Sequence, residues 1–95
     1  MILYDWFNHQ YFANKYLSGS TYKYKDRLLN DFYGVYWRCT GNSFKGVRLN
    51  RVRDDLKDAT VKKNMRGYLT SYGYTKAAID GIIKVCNGCI KAQLS

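Results

Sequence analysis

A mainly helical α+β fold is what the sequence predicts, with a small all-α domain as the alternative, on three observations. Apolar residues recur at spacings of three and four over most of the chain. Clusters of Gly, Ser and Thr punctuate those runs at intervals suited to short helices. Between them, one stretch near residues 35–49 leaves the helical period around a dense group of turn residues. The expected elements are helices at about 2–17, 22–33, 51–58, 60–72 and 76–92, with a β-hairpin at about 35–49. At 95 residues the whole chain, 1–95, reads as a single domain, because two cores would each be marginal at this size.

The first helix rests on Ile2, Leu3, Trp6, Phe7, Tyr11, Phe12, Tyr16 and Leu17, and Ser18, Gly19, Ser20 and Thr21 stop it. In the second, Tyr24, Leu28, Leu29 and Phe32 share a face, and Gly34 is expected to end it. Beyond Gly34, Val35, Trp37 and Cys39 alternate with Tyr36 and Arg38. Thr40, Gly41, Asn42 and Ser43 then supply a turn, and residues 44–49 a return strand. The competing reading extends the second helix to Cys39 and makes residues 47–56 helical. Asn50 is expected to cap the next helix, with Asp54 and Asp55 near its first turn. Val61, Met65, Tyr68, Leu69 and Tyr72 then form an apolar face that leaves Lys62, Lys63 and Arg66 toward solvent. Gly73 should close that helix and Thr75 cap the last, whose apolar face is Ala78, Ile79, Ile82, Ile83, Cys86, Cys89 and Ile90.

Charge directs the functional reading. The formal net charge is +9, from 16 Lys and Arg against seven Asp, and the chain has no Glu. Such a balance favours a polyanionic partner. Residues 32–53 contain no acid, while Arg38, Lys45, Arg48, Arg51 and Arg53 are interleaved with Phe32, Tyr33, Tyr36, Trp37 and Phe44. Cations neutralise phosphates and exposed rings stack on bases, so a nucleic-acid surface is expected here. Arg38, Lys45, Arg48, Arg51 and Arg53 would carry it, Lys62, Lys63 and Arg66 would support it, and Tyr36 and Phe44, with Tyr33, would be exposed for stacking. Trp6, Phe7, Phe12, Leu28, Phe32 and Trp37 are the expected core. The partner is DNA or RNA. In the alternative the chain is a protein-interaction module, such as a phage-type inhibitor, docking on an acidic surface of a larger host protein.

Other motifs point to structure rather than chemistry. The two last helices, joined by Gly73, Tyr74 and Thr75, have helix-turn-helix spacing. A base-reading helix, however, presents Arg, Asn or Gln near its start, and this one offers Lys76, Ala77 and Asp80. A helical hairpin packed into the core is the expectation. The Cys86–Cys89 pair could join Cys39 and His9 in a Cys3His metal set. Both fall on the apolar face of the last helix, so reduced core cysteines are expected and no cofactor or metal is assigned. Asp54, Asp55 and Asp58 could hold magnesium, but helix-start charge and pairing with neighbouring Arg51, Arg53 and Lys57 is the simpler reading. One His and no nucleophile motif argue against an enzyme. No segment approaches the roughly 20 apolar residues of a membrane span, and the start lacks the pattern of a secretory signal. A cytoplasmic protein with no membrane partner is therefore expected. The absence of Pro and Glu, with abundant Lys, Asn and Tyr, resembles the composition of small bacteriophage or mobile-element proteins.

Overall fold

In the computed structural model, which describes residues 25–94, four helices follow one another. They are α1 (Lys25–Thr40), α2 (Leu49–Lys57), α3 (Ala59–Ser71) and α4 (Lys76–Leu94). The expected helix at 2–17, the start of the one at 22–33, and Trp6, Phe7, His9 and Phe12 lie outside the described residues. No strand occurs among the described residues, so the all-α alternative fits and the hairpin expected at 35–49 is corrected.

The correction has a physical cause. Leu28, Leu29, Phe32, Val35 and Tyr36 are all buried, and their spacing carries one helical stripe straight through Gly34. Gly34 stands on the outer face, where an exposed helical glycine costs about 1 kcal/mol relative to alanine. Burying each large apolar side chain beyond it returns about 1.5–3 kcal/mol, so the helix continues. It stops at Gly41, whose φ of 75° is left-handed and whose N–H donates to the Trp37 carbonyl at 2.7 Å. Thr40 Oγ1 donates to the Tyr36 carbonyl and accepts from the Asn42 N–H, which fixes the exit.

The segment expected to return as a strand instead turns at residues 43–47, where Gly46 and Val47 both donate to the Ser43 carbonyl. That turn swings Phe44 back onto α1. Its ring sits 5.8 Å from Phe32, 5.0 Å from Tyr33 and 5.3 Å from Tyr36, the favourable range for edge and tilted aromatic pairs.

Helix α2 begins one residue before Asn50, at Leu49. Arg48 occupies its cap position without a side-chain cap bond, and neither Asp54 nor Asp55 falls in the first turn. The expected Asn50 cap is thus corrected, and the two carboxylates, expected in or near the first turn, lie beyond it. Asp58 alone separates α2 from α3. Its N–H donates to the Asp54 and Asp55 carbonyls, while its Oδ1 accepts from the Thr60 and Val61 N–H groups. One carboxylate therefore ends a helix through its backbone and starts the next through its side chain.

As expected, Gly73 closes α3. At φ 98°, it donates to the Thr70 carbonyl while Tyr74 donates to Leu69, a Schellman pattern. Thr75 Oγ1 accepts from Ala78 at the head of α4. Helix α4 buries Ala78, Ile79, Ile82, Ile83, Val85, Cys86, Cys89 and Ile90. Met65 and Leu69 of α3, Val52 and Leu56 of α2 and the stripe of α1 complete the same core. At the other end of α1, Arg27 donates to the Tyr72 carbonyl at 2.9 Å and lies over the Tyr74 ring, whose hydroxyl donates to Asp31 at 2.5 Å. The α3–α4 turn is thereby fastened to α1.

Candidate nucleic-acid interface

The packing of α1 on α3 leaves an open groove of about 660 Å³. Arg38 and Cys39 line it from α1, and Lys63, Asn64, Gly67, Tyr68 and Ser71 from α3. The α3 residues recur at three and four, so one face of that helix forms the wall. Gly67 contributes no side chain, and among the described residues a Cβ there would meet nothing within 4 Å, which leaves the groove open at that point. The Arg38 guanidinium lies 5.1 Å from the Tyr68 ring centroid, a cation–π arrangement on a phenol that is 37% exposed. Ser71 Oγ donates to the Tyr68 carbonyl and secures the last turn behind it.

Trp37 lies outside the groove, on the outer face of α1, and is 61% exposed. It was expected in the core; the helical period places Val35 and Tyr36 there instead. Gly34, at i−3 from Trp37 and i−4 from Arg38, sits between the two side chains on that face. Among the described residues nothing lies within 4 Å of the position its Cβ would take, and Gly34 places no side chain between indole and guanidinium.

Two of the three rings expected to be exposed for stacking are buried, which corrects that expectation: Tyr36 is 0% exposed and Phe44 3%. Phe44 is held in the aromatic cluster by its turn. Tyr36 faces inward with Val35, and its hydroxyl donates to Asp55 Oδ2 at 2.6 Å. Burial, then the hydrogen bond to Asp55 and that carboxylate's charge, push the Tyr36 phenol well above its ordinary range, against weaker opposing effects of Thr40 and Arg51. Tyr33 is half-buried against the same cluster.

Three of the cations expected at the interface stand in ion pairs with carboxylates. Arg51 pairs with Asp55 at 3.3 Å, Arg53 with Asp54 at 3.2 Å and Arg66 with Asp80 at 2.6 Å. Those pairs account for the Asp54–Asp55 cluster and for Asp80, and they cancel part of the positive field locally. Arg38, Lys45, Arg48 and Lys63 are exposed and Lys62 is half-buried. Of these, Arg38 and Lys63 meet in the groove, while Lys45 and Arg48 lie on the connection between α1 and α2.

The groove was visible in the sequence only through its charges. Helical spacing puts Tyr68 on the same apolar face as Met65 and Leu69, yet one position of rotation separates a buried leucine from a half-open phenol. The cysteines follow their expectation in position: Cys86 and Cys89 are buried thiols of α4 outside any disulfide, and Cys39 is a half-buried thiol. Burial pushes the Cys86 thiol well up, and the neighbouring Cys89 adds to it. The Cys39 thiol is also raised by burial, with Arg38 pulling the other way. Among the described residues no group of three or more His, Cys, Asp or Glu gathers around a common point. No helix of the described residues is long and apolar enough to cross a membrane. Comparison of the chain with models of known protein families, with curated proteins and with solved structures gives no match.

Proposed function

We propose that this chain is a small basic nucleic-acid-binding module, a binder rather than an enzyme. The observation that carries the reading is the convergence of Arg38, Lys63 and the half-open Tyr68 ring in one open groove. Arg38 and Lys63 take phosphates, and Asn64 and Ser71 offer hydrogen bonds along the same wall. Lys45, Arg48 and Lys62 add to the attraction at longer range, as does the net charge of +9. Arg51, Arg53 and Arg66 contribute less, because each already faces a carboxylate.

Fluorescence anisotropy with labelled DNA and RNA at increasing salt tests the proposal. Affinity should fall steeply, since each neutralised phosphate releases condensed counterions. Absence of binding to any oligonucleotide at low salt would sink it.

The exposure of Trp37 next to Arg38 favours one second reading. Trp, Tyr and Arg dominate the energetics of protein interfaces, so the same face suits docking on an acidic surface of a larger protein, as an inhibitor would. Pull-down after nuclease treatment separates the two: a protein partner retained without nucleic acid supports docking.

A further inference from the structure

We infer that the interface takes single-stranded rather than duplex nucleic acid, with the strand running from the α1–α3 groove across Gly34 onto Trp37; this rests on the nucleic-acid reading above. Three observations carry it. The first is ring exposure. The Trp37 indole is 61% exposed, and Tyr68 presents a second ring in the groove. Rings of this kind stack on bases that are free of the duplex stack, and every base has a face to offer.

The second is the path between the rings. Arg38 lies over Tyr68 on one side, and Gly34 places no side chain on the other, between Arg38 and Trp37. A phosphate on Arg38 is flanked by a base at each ring. The third observation removes the obvious duplex reader. The second helix of the helix-turn-helix-like pair, α4, buries one face in the core from Ala78 to Ile90, and Asp80 near its start pairs with Arg66. The exposed residues at its start, Lys76 and Ala77, with the paired Asp80, lack the Arg, Asn or Gln that reads base edges in a major groove.

The test uses the full chain with labelled oligonucleotides of about 12 nucleotides, within the ~4–16 nucleotide span of single-strand sites. Single-stranded DNA, single-stranded RNA and a hairpin duplex are titrated at low salt, by anisotropy and by tryptophan fluorescence. Single strands should bind at least about tenfold tighter than the duplex. Trp37→Ala should weaken single-strand binding about tenfold, the scale of one lost stacking contact, and leave the duplex value unchanged. It should also abolish most of the fluorescence quenching that single strands produce in the unaltered chain. Gly67→Leu fills the groove from a position where a Cβ has room, and should weaken single-strand binding with the helical circular dichroism retained. Equal affinity for duplex and single strand, or unchanged binding by Trp37→Ala, overturns the single-strand assignment while the nucleic-acid reading stands. No binding to any of the three removes both.

Discussion

Tyr36 shows how one side chain decides between two surfaces. Its ring lies in the aromatic cluster and its hydroxyl donates to Asp55, which Arg51 also contacts. Tyr36→Phe should cost about 1.5 kcal/mol in urea unfolding, the low end for a hydrogen bond to a charged group, because Arg51 still partners the carboxylate. The same substitution has a pH signature. The folded phenol holds its proton above the ordinary tyrosine pKa of about 10, so unfolding releases that proton once the pH exceeds this value. The contribution is complete below about pH 10 and is lost as the pH rises toward the folded value. Stability of the unaltered chain should therefore fall faster above that pH than stability of Tyr36→Phe. Thiol reactivity gives a second check at this scale. Cys39 is partly open, whereas Cys86 and Cys89 are buried with Cys86 strongly desolvated. A native-state thiol titration should show one faster cysteine and two that react only on unfolding; prompt labelling of all three would contradict the packing of α4.

At the scale of elements, the helix ends matter most. Asp58 is the sole residue between α2 and α3, and its carboxylate accepts two backbone N–H groups. Asp58→Ala should cost about 1 kcal/mol, as loss of a helix cap usually does. Gly73 sits at φ 98°, where an added side chain is strained even with open space around it. Gly73→Ala should cost about 1–2 kcal/mol and loosen the turn that Arg27 and Asp31 fasten to α1. If thermal unfolding shows either variant as stable as the parent chain, the corresponding cap is not formed in solution. These ends were unevenly legible beforehand. Gly73 and Thr75 announce themselves because glycine and threonine flank two long periodic runs. Gly34 misled for the opposite reason: its residue type signals a stop, but it occupies the outer face of a helix whose inner face is still being buried.

For the whole molecule, the question is which of its cations act together. The field of the net charge reaches any polyanion, but a phosphate contact requires a cation without a competing carboxylate. Arg38→Ala and Lys63→Ala should each reduce the salt slope of nucleic-acid binding by about one. Arg51→Ala and Arg53→Ala should change it much less, because Asp55 and Asp54 already face those groups. Equal effects from all four would mean that charge is read diffusely over the surface and that the groove has no special part. Linear charge patterning located the basic region at residues 32–53 but could not separate these groups, since pairing depends on helical phase. Arg51 reaches Asp55 one turn on, and Arg66 reaches Asp80 only because α3 and α4 lie together.

The sequence by itself determined the helical character of residues 60–92, the closing glycine between the last two helices, the buried thiols of α4 and the strong positive charge. Each of these follows from local spacing or from composition, which need no knowledge of neighbours. Only the tertiary structure decided that α1 continues to Thr40, that Phe44 folds back onto it, and that Trp37, Tyr68 and Tyr72 are exposed while Tyr36 and Phe44 are buried. The reason is burial: an aromatic residue is equally at home in a core or at a surface, and which it becomes depends on the phase of its helix against the helices packed beside it.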